Sequence, residues 1–206
     1  MNDEINKILD TVTLMYQKYG IKSVTMDDVS REMGISKKTL YLCFSDKNDL
    51  VNKAIDRAVE KVSYEYEKVA DLNLNAVEEL LEYNRISAQV LKDHSASADY
   101  DLKKYYPEIF DKTVKIRVEK TYKMVLANLQ KGKMQGLYRK NLNEDIIARL
   151  YVSRTMAMQG NSLFSHEELL SVEFFKEIFI YHIHGIANAK GMEVLERNLK
   201  KNEITV

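Results

Sequence analysis

The sequence predicts an all-α protein, and three observations carry that expectation. Apolar residues recur at spacings of three and four through most of the chain, the period of one helix face. Turn formers are scarce: 7 Gly and 1 Pro in 206 residues leave little to punctuate a set of strands. Helix starts and stops, in contrast, can be read at intervals along the whole chain.

From the N-terminus, Ile5, Ile8, Leu9, Val12, Met15, Tyr16 and Tyr19 trace one apolar face, and Gly20 stands where a helix stops. Residues 21–24 form a short connector. Thr25-Met-Asp-Asp28 has the form of a capping box for a second helix ending near Met33. Gly34-Ile35 makes a tight turn, and Ser36 caps a short third helix from Lys37 to Cys43. Ser45 or Asp46 caps a fourth, which runs from Lys47 to about Ala70 with no Gly or Pro inside it. Asn73 and Asn75 mark a loop. Val77, Leu80, Leu81, Ser87, Ala88 and Leu91 trace a fifth helix, and residues 94–105 are ambiguous. Pro107 suits the first turn of a long helix reaching about Lys131, loosened by Gly132 to Gly136. Another helix starts at Asn143, with Ile146, Ile147, Leu150, Tyr151 and Met158 on one face. Ser165 or Ser171 caps a last long helix reaching about Ala189. Its Phe174, Phe175, Ile178, Phe179, Ile180, Tyr181, Ile183 and Ile186 lie on more than one face. A helix apolar nearly all round must be covered on both sides, which predicts a homodimer built from the last two long helices. Residues 191–206 read as a weakly anchored tail.

Composition limits the function. With 31 Lys or Arg against 31 Asp or Glu, the chain cannot coat nucleic acid through bulk charge. Residues 1–50 hold seven Lys or Arg and eight Asp or Glu, so affinity for DNA must come from where the cations stand. The single Cys43 excludes an intramolecular disulfide and fits a reducing compartment. The acidic start, Met1-Asn-Asp-Glu, is not read as a signal peptide. No run approaches the roughly 20 apolar residues of a membrane span. A cytoplasmic protein with no membrane partner is expected.

The second and third helices, joined across a short Gly-containing turn, have the sequence shape of a helix-turn-helix. The stretch from Val24 to Leu50, with Thr25, Val29, Gly34, Ser36, Leu40, Tyr41, Phe44, Lys47 and Leu50 at matching positions, resembles the DNA-binding domain of the TetR/AcrR family of bacterial transcriptional regulators. Ser30 stands where the family usually has Ala, and Cys43 where it commonly has His or Tyr. The resemblance spans residues 5–55; Tyr106-Pro-Glu-Ile-Phe110 and Gly136-Leu-Tyr-Arg139 are similar to stretches of family C-terminal domains.

Physical reasoning on the motif gives the same region. The third helix is about two turns long and too short to be stable alone. Leu40 and Phe44, four apart, can anchor it against the first helix and leave Lys37, Lys38, Thr39 and Tyr41 outside. A helix start attracts phosphate. Lys47 opens the fourth helix, where a cation opposes the dipole, so a partner anion is expected there. The resemblance implies phosphate contacts from Tyr41 and Lys47 and groove-facing positions at Lys38, Thr39 and Leu42. Thr25, Ser36 and Lys37 complete the expected double-stranded DNA contacts.

Asn84 and Ser87 interrupt the apolar stripe of the fifth helix, and Arg154 that of the 143–161 helix. A buried polar group needs a partner. Either ordinary internal hydrogen bonds or a ligand pocket supplies it. With 13 Tyr and 9 Met in the chain, an adaptable apolar cavity can be built. Helical phase gives Tyr66, Asn84, Ser87, Phe110, Tyr122, Arg154 and Met158 as expected walls for a small-molecule effector. No catalytic constellation, cofactor motif or metal site is read: Gly132-Lys-Met-Gln-Gly136 lacks the ending of a P-loop. His182 and His184, two apart, point to different faces of a helix, which favours structural or interface roles.

The expected architecture is therefore an N-terminal three-helix helix-turn-helix domain (1–46) followed by a larger helical effector-binding and dimerisation domain (47–206). The function expected from the resemblance is a DNA-binding regulator, more often a repressor, released from a palindromic operator by its effector. Two alternatives compete with it: a helical small-molecule carrier or enzyme with an incidental helix-turn-helix, and an architectural helical module.

Overall fold

Every regular element among the described residues is helical, with one isolated antiparallel bridge between Tyr138 and Ala187. The computed structural model describes residues 2–93, 95–158 and 163–202. They form α1 (Asn2–Tyr19), α2 (Met26–Met33), α3 (Lys37–Cys43), α4 (Lys47–Lys68), α5 (Ala76–Lys92), α6 (Ala96–Tyr105), α7 (Pro107–Met134), α8 (Glu144–Met158), α9 (His166–Leu170), α10 (Val172–Ile186) and α11 (Ala189–Asn202).

The local signals act where the sequence put them. The Gly20 amide closes on the Tyr16 carbonyl at φ +79°, Asn75 accepts from the Val77 and Glu78 amides, and Asn143 accepts from the Ile146 amide. Asp46, not Ser45, caps α4, accepting from the Asp49 amide at 2.8 Å.

Backbone packing divides the chain into two units. The first comprises residues 1–64 and 93–117, the second residues 65–92 and 118–206. Most of α4, all of α6 and the start of α7 thus pack with the three N-terminal helices, and the packing boundary is not at residue 46. In the first unit, Val12, Ile21, Val29, Leu40, Phe44, Leu50 and Val51 are fully buried, and Leu102 of α6 and Ile109 of α7 join the same cluster.

The second unit buries Leu129, Tyr138, Ile183, Ile186 and Leu195. A polar network runs through it. Asn128 donates to the Ala76 carbonyl and to Glu79, and Lys131 pairs with the Glu79 carboxylate. The Tyr138 hydroxyl lies 3.0 Å from the Ala76 carbonyl and 2.9 Å from Asn128 Oδ1. Each polar group has a partner, the condition for such a network to be tolerated inside a core.

Several expectations change. The ambiguous stretch 94–105 is helix α6, capped by Ser95, whose hydroxyl accepts from the Ala98 amide. The fourth helix ends at Lys68 and tightens into a 3-10 turn, Val69–Leu72, before Asn73 reverses the chain at φ +51°. Ser165 and Ser171 each cap a helix, so the expected single last helix is two, α9 and α10. The expected tail is largely helix α11: Asn188 caps it, and Met192, Leu195 and Leu199, spaced three and four, pack on the core. The stripe on α8 is split, since Ile147 packs inward while Ile146 and Leu150 are 48% and 60% exposed.

Gly132 does not break α7, which continues to Met134. The Tyr138 ring lies directly on Gly132, where any Cβ would collide with it. Gly132→Ala is therefore expected to cost about 2–3 kcal/mol, the scale of core overpacking, although Ala is the better helix former. Thermal unfolding of the two proteins tests this; a variant as stable as the parent would contradict the packing.

Candidate nucleic-acid interface and effector site

Two local devices build the helix-turn-helix. The Thr25 hydroxyl accepts from the Asp28 amide at 3.2 Å while the Asp28 carboxylate accepts from the Thr25 amide at 3.0 Å, a complete capping box. Gly34 turns the chain in the left-handed region, φ +65°, its amide on the Arg31 carbonyl and that of Ile35 on Ser30. Only glycine enters that conformation without steric cost. Ser36 then starts α3, its hydroxyl accepting from the Thr39 amide at 3.0 Å.

Burial of Leu40 and Phe44 sets the rotation of α3. Lys37, Lys38 and Thr39 consequently lie exposed, and Tyr41 and Leu42 are 50% and 79% exposed. Leu42 is a large apolar side chain left in water on a helix that has apolar contacts available on its other side. Lys37 pairs with Asp27 at 2.6 Å, an exposed ion pair that a phosphate can replace at little cost. Lys47 is half-buried, and burial lowers its ammonium from the usual lysine range. Its Nζ donates to the Lys22 carbonyl at 3.0 Å.

Lys22 is a cation that sequence reasoning left in a plain connector. Its amide donates to Asp101 of α6 at 2.8 Å, and its ammonium to the Tyr105 hydroxyl at 3.0 Å. The signal was present in principle, a lysine three residues before a capping box, but its partners are about 80 residues away in sequence.

In the second unit, the Tyr66 hydroxyl meets Ser87 at 2.8 Å, and the Tyr66 and Tyr83 rings pack with centroids 5.8 Å apart. Tyr151 of α8 takes the Arg154 guanidinium on its ring at 5.0 Å and the edge of His182 at 4.9 Å. Burial raises the Tyr66 and Tyr151 phenols and lowers the Arg154 guanidinium. Burial, with the Arg154 charge adding to it, pulls the His182 imidazole down to about 4.

The model of the bacterial regulatory proteins of the tetR family matches residues 8–54. Over those residues, from α1 into α4, the chain carries a TetR-family DNA-binding domain. The transcriptional regulator YvaF of Bacillus subtilis (strain 168) is 28% identical over 146 residues, 70% of this chain and 75% of that one. The transcriptional repressor KstR2 of Mycobacterium tuberculosis is 20% identical over 152 residues, 72% of this chain and 76% of that one. Its solved structure, described as a ketosteroid regulator, superposes with TM-score 0.56 over 91% of this chain and 97% of that one. A Saccharomonospora viridis regulator solved with choline superposes with TM-score 0.70 at 19% identity, over 91% of this chain and all of that one. This chain thus carries a TetR-type DNA-binding domain and is similar to transcriptional regulators. Among its described residues no helix is long and apolar enough to cross a membrane.

Of the expected effector walls, Tyr66 and Ser87 are in direct contact, and Asn84 is half-buried on the same helix, α5. Arg154 sits with Tyr151 and His182, which sequence reasoning had assigned to packing and to structural or interface roles. One expected wall lies elsewhere, since Phe110 packs on the core of the first unit; Tyr122 packs against the same second-unit core as Tyr66 and Tyr151 and donates to Asp145 at 2.7 Å. The Met158 side chain lies outside the described residues.

Two predictions follow from this geometry. Leu40→Ala is expected to lose about 3 kcal/mol, the usual cost of a truncated core leucine, and to abolish DNA binding with the phase of α3; chemical denaturation and a gel shift measure both. His182, neutral when folded, takes up a proton near pH 6.5 in the unfolded chain. Stability is therefore fully retained above about pH 6.5 and falls as pH drops toward 4. Between pH 7.5 and 5 this residue accounts for about 2 kcal/mol of the loss, and His182→Gln should flatten the decline by that amount. An unchanged slope in the variant contradicts the assignment.

Proposed function

We propose that this TetR-family regulator is a homodimeric, cytoplasmic repressor that holds a palindromic operator through two copies of α3 and releases it when a small molecule binds the C-terminal part of the chain. In functional terms the DNA-binding domain is residues 1–46, and residues 47–206 carry effector binding and dimerisation. The observation that carries this reading is the outward face of α3: Lys38, Tyr41 and Leu42 stand in solvent while Leu40 is fully buried. Thr25, Ser36, Lys37, Tyr41 and Lys47 contact phosphates, and Lys38, Thr39 and Leu42 face the groove. Lys47 exchanges the Lys22 carbonyl for a phosphate oxygen.

The second copy covers the face of α8 that presents Ile146, Leu150, Ser153 and Ala157, together with the side of α10 carrying Tyr181, which is 77% exposed. A two-fold pairing of these helices gives a self-complementary four-helix interface. It has to set the two α3 helices roughly 34 Å apart, or a little more, to enter successive major grooves. The effector binds at Tyr66, Ser87 and Arg154, joined by Tyr151 and His182; KstR2, a named repressor, and a choline-bound regulator share this architecture and lend it support. By linkage, operator DNA lowers effector affinity by the factor by which effector lowers operator affinity.

Selection from random DNA is expected to enrich one inverted repeat. Lys47→Ala should weaken binding to every sequence and reduce the salt dependence by about one unit, because a phosphate contact carries no sequence information. Thr39→Ala or Lys38→Ala should change which bases are preferred. Enrichment of no motif would overturn the reading in favour of a non-specific helical module.

A further inference from the structure

The second unit holds a half-buried cation that no ion pair neutralises among the described residues. Arg154 projects from α8 onto the Tyr151 ring, and no ion pair reaches it among the described residues. Its Nε and the Nε2 of His182 are both sealed from solvent, and neither has a hydrogen-bond partner among the described residues. The two side chains share one ring, Tyr151, so the orphaned atoms belong to a single cluster. The contrast with Glu79, Asn128, Lys131 and Tyr138 is direct: in the same unit, that network leaves its polar groups satisfied.

The missing partner is defined by what these groups offer. A guanidinium only donates, and a neutral imidazole can present Nε2 as a donor too, so the partner supplies oxygen lone pairs. The Arg154 charge repels a cation and favours an anion. One cation beside one neutral ring balances a single negative charge, and the planar guanidinium fork matches a carboxylate. The core that Tyr151 packs against is aromatic too: Tyr66 and Tyr83 meet at 5.8 Å with their rings tilted, and Tyr151 lies under the guanidinium.

We propose that Arg154 and His182 receive the carboxylate of an amphiphilic acid whose apolar body packs on Tyr66, Tyr83 and Tyr151. The proposal rests on the effector reading above and names the chemical class of that effector. Because the orphaned atoms are sealed within the subunit, the acid enters by displacing aromatic side chains of α8 and α10. The same two helices present the exposed face assigned to the second copy, so entry of the acid changes the surface on which the subunits pair. That face and the acid site are coupled by the helices they share.

The test is calorimetric titration of the full-length protein with octanoate, 4-phenylbutanoate and 1-naphthoate, each beside its uncharged primary amide. At least one acid is expected to bind, and to bind at least tenfold more tightly than its amide. Arg154→Met should erase that preference, and Arg154→Lys, which keeps the charge and loses the fork, should retain part of it. Circular dichroism and operator binding of the unliganded variants establish that they fold. No binding by any acid at millimolar concentration, or equal binding of acid and amide, overturns the proposal. So does an Arg154→Met protein that becomes monomeric while acids and amides bind it and the parent alike, which would make Arg154 an interface residue. An acid that binds through Arg154 without changing operator affinity supports the acid site and overturns the effector reading.

Discussion

A seven-residue helix cannot hold its shape in water, because one or two turns of hydrogen bonds do not repay the ordering of the backbone. Helix α3 therefore exists only as far as Leu40 and Phe44 are buried. Everything the first unit offers to DNA depends on those two side chains, since they fix which residues of α3 face outward. The walls that receive them come from α1, α2 and α4, with Leu102 of α6 and Ile109 of α7 closing the same cluster. The capping box at Thr25 and the left-handed turn at Gly34 set the entry angle, but without this burial they would join two helices of no defined rotation.

The second unit combines two kinds of buried polarity. Around Tyr138 every donor meets an acceptor, and Gly132 is needed so that the ring can lie against the backbone of α7. Around Tyr151, Arg154 Nε and His182 Nε2 have no partner among the described residues, and the imidazole is held neutral by its surroundings. The first arrangement specifies a structure, and the second leaves an interaction to be completed. A core that is rigid at one end and unsatisfied at the other can respond to a molecule without losing its fold.

The sequence was most legible where the physics is local. Thr25 with Asp28, Gly34, Ser36 and Asn75 act within a few residues of themselves, and each does in the structure what its position implied. Leu40 and Phe44 were legible too, because helical spacing alone puts them on one side. Lys22, Glu79 and His182 were not, because each takes its meaning from a residue distant in the chain: Asp101, Lys131 and Tyr151. Helix α11 was hidden by its charge, which resembles a solvated tail until Leu195 is seen against the core. The effector walls chosen by phase mixed two units, since phase says that a residue faces inward and not which interior it faces. Phe110 is the clearest case.

The chain passes between its two units three times, within α4, after α5 and within α7. Residues 93–117, an interior stretch of the sequence, are part of the unit that carries α3, with Asp101 and Tyr105 bonded to Lys22. A recombination event that joined the first 64 residues of one such gene to the remainder of another would pair an α1–α2 corner with a foreign α6. Exchange of sensory halves between relatives would then require either three crossovers or matched residues at 22, 101 and 105. The weave of the chain thus limits how freely evolution, or an engineer, can reassign an established DNA reader to a new signal.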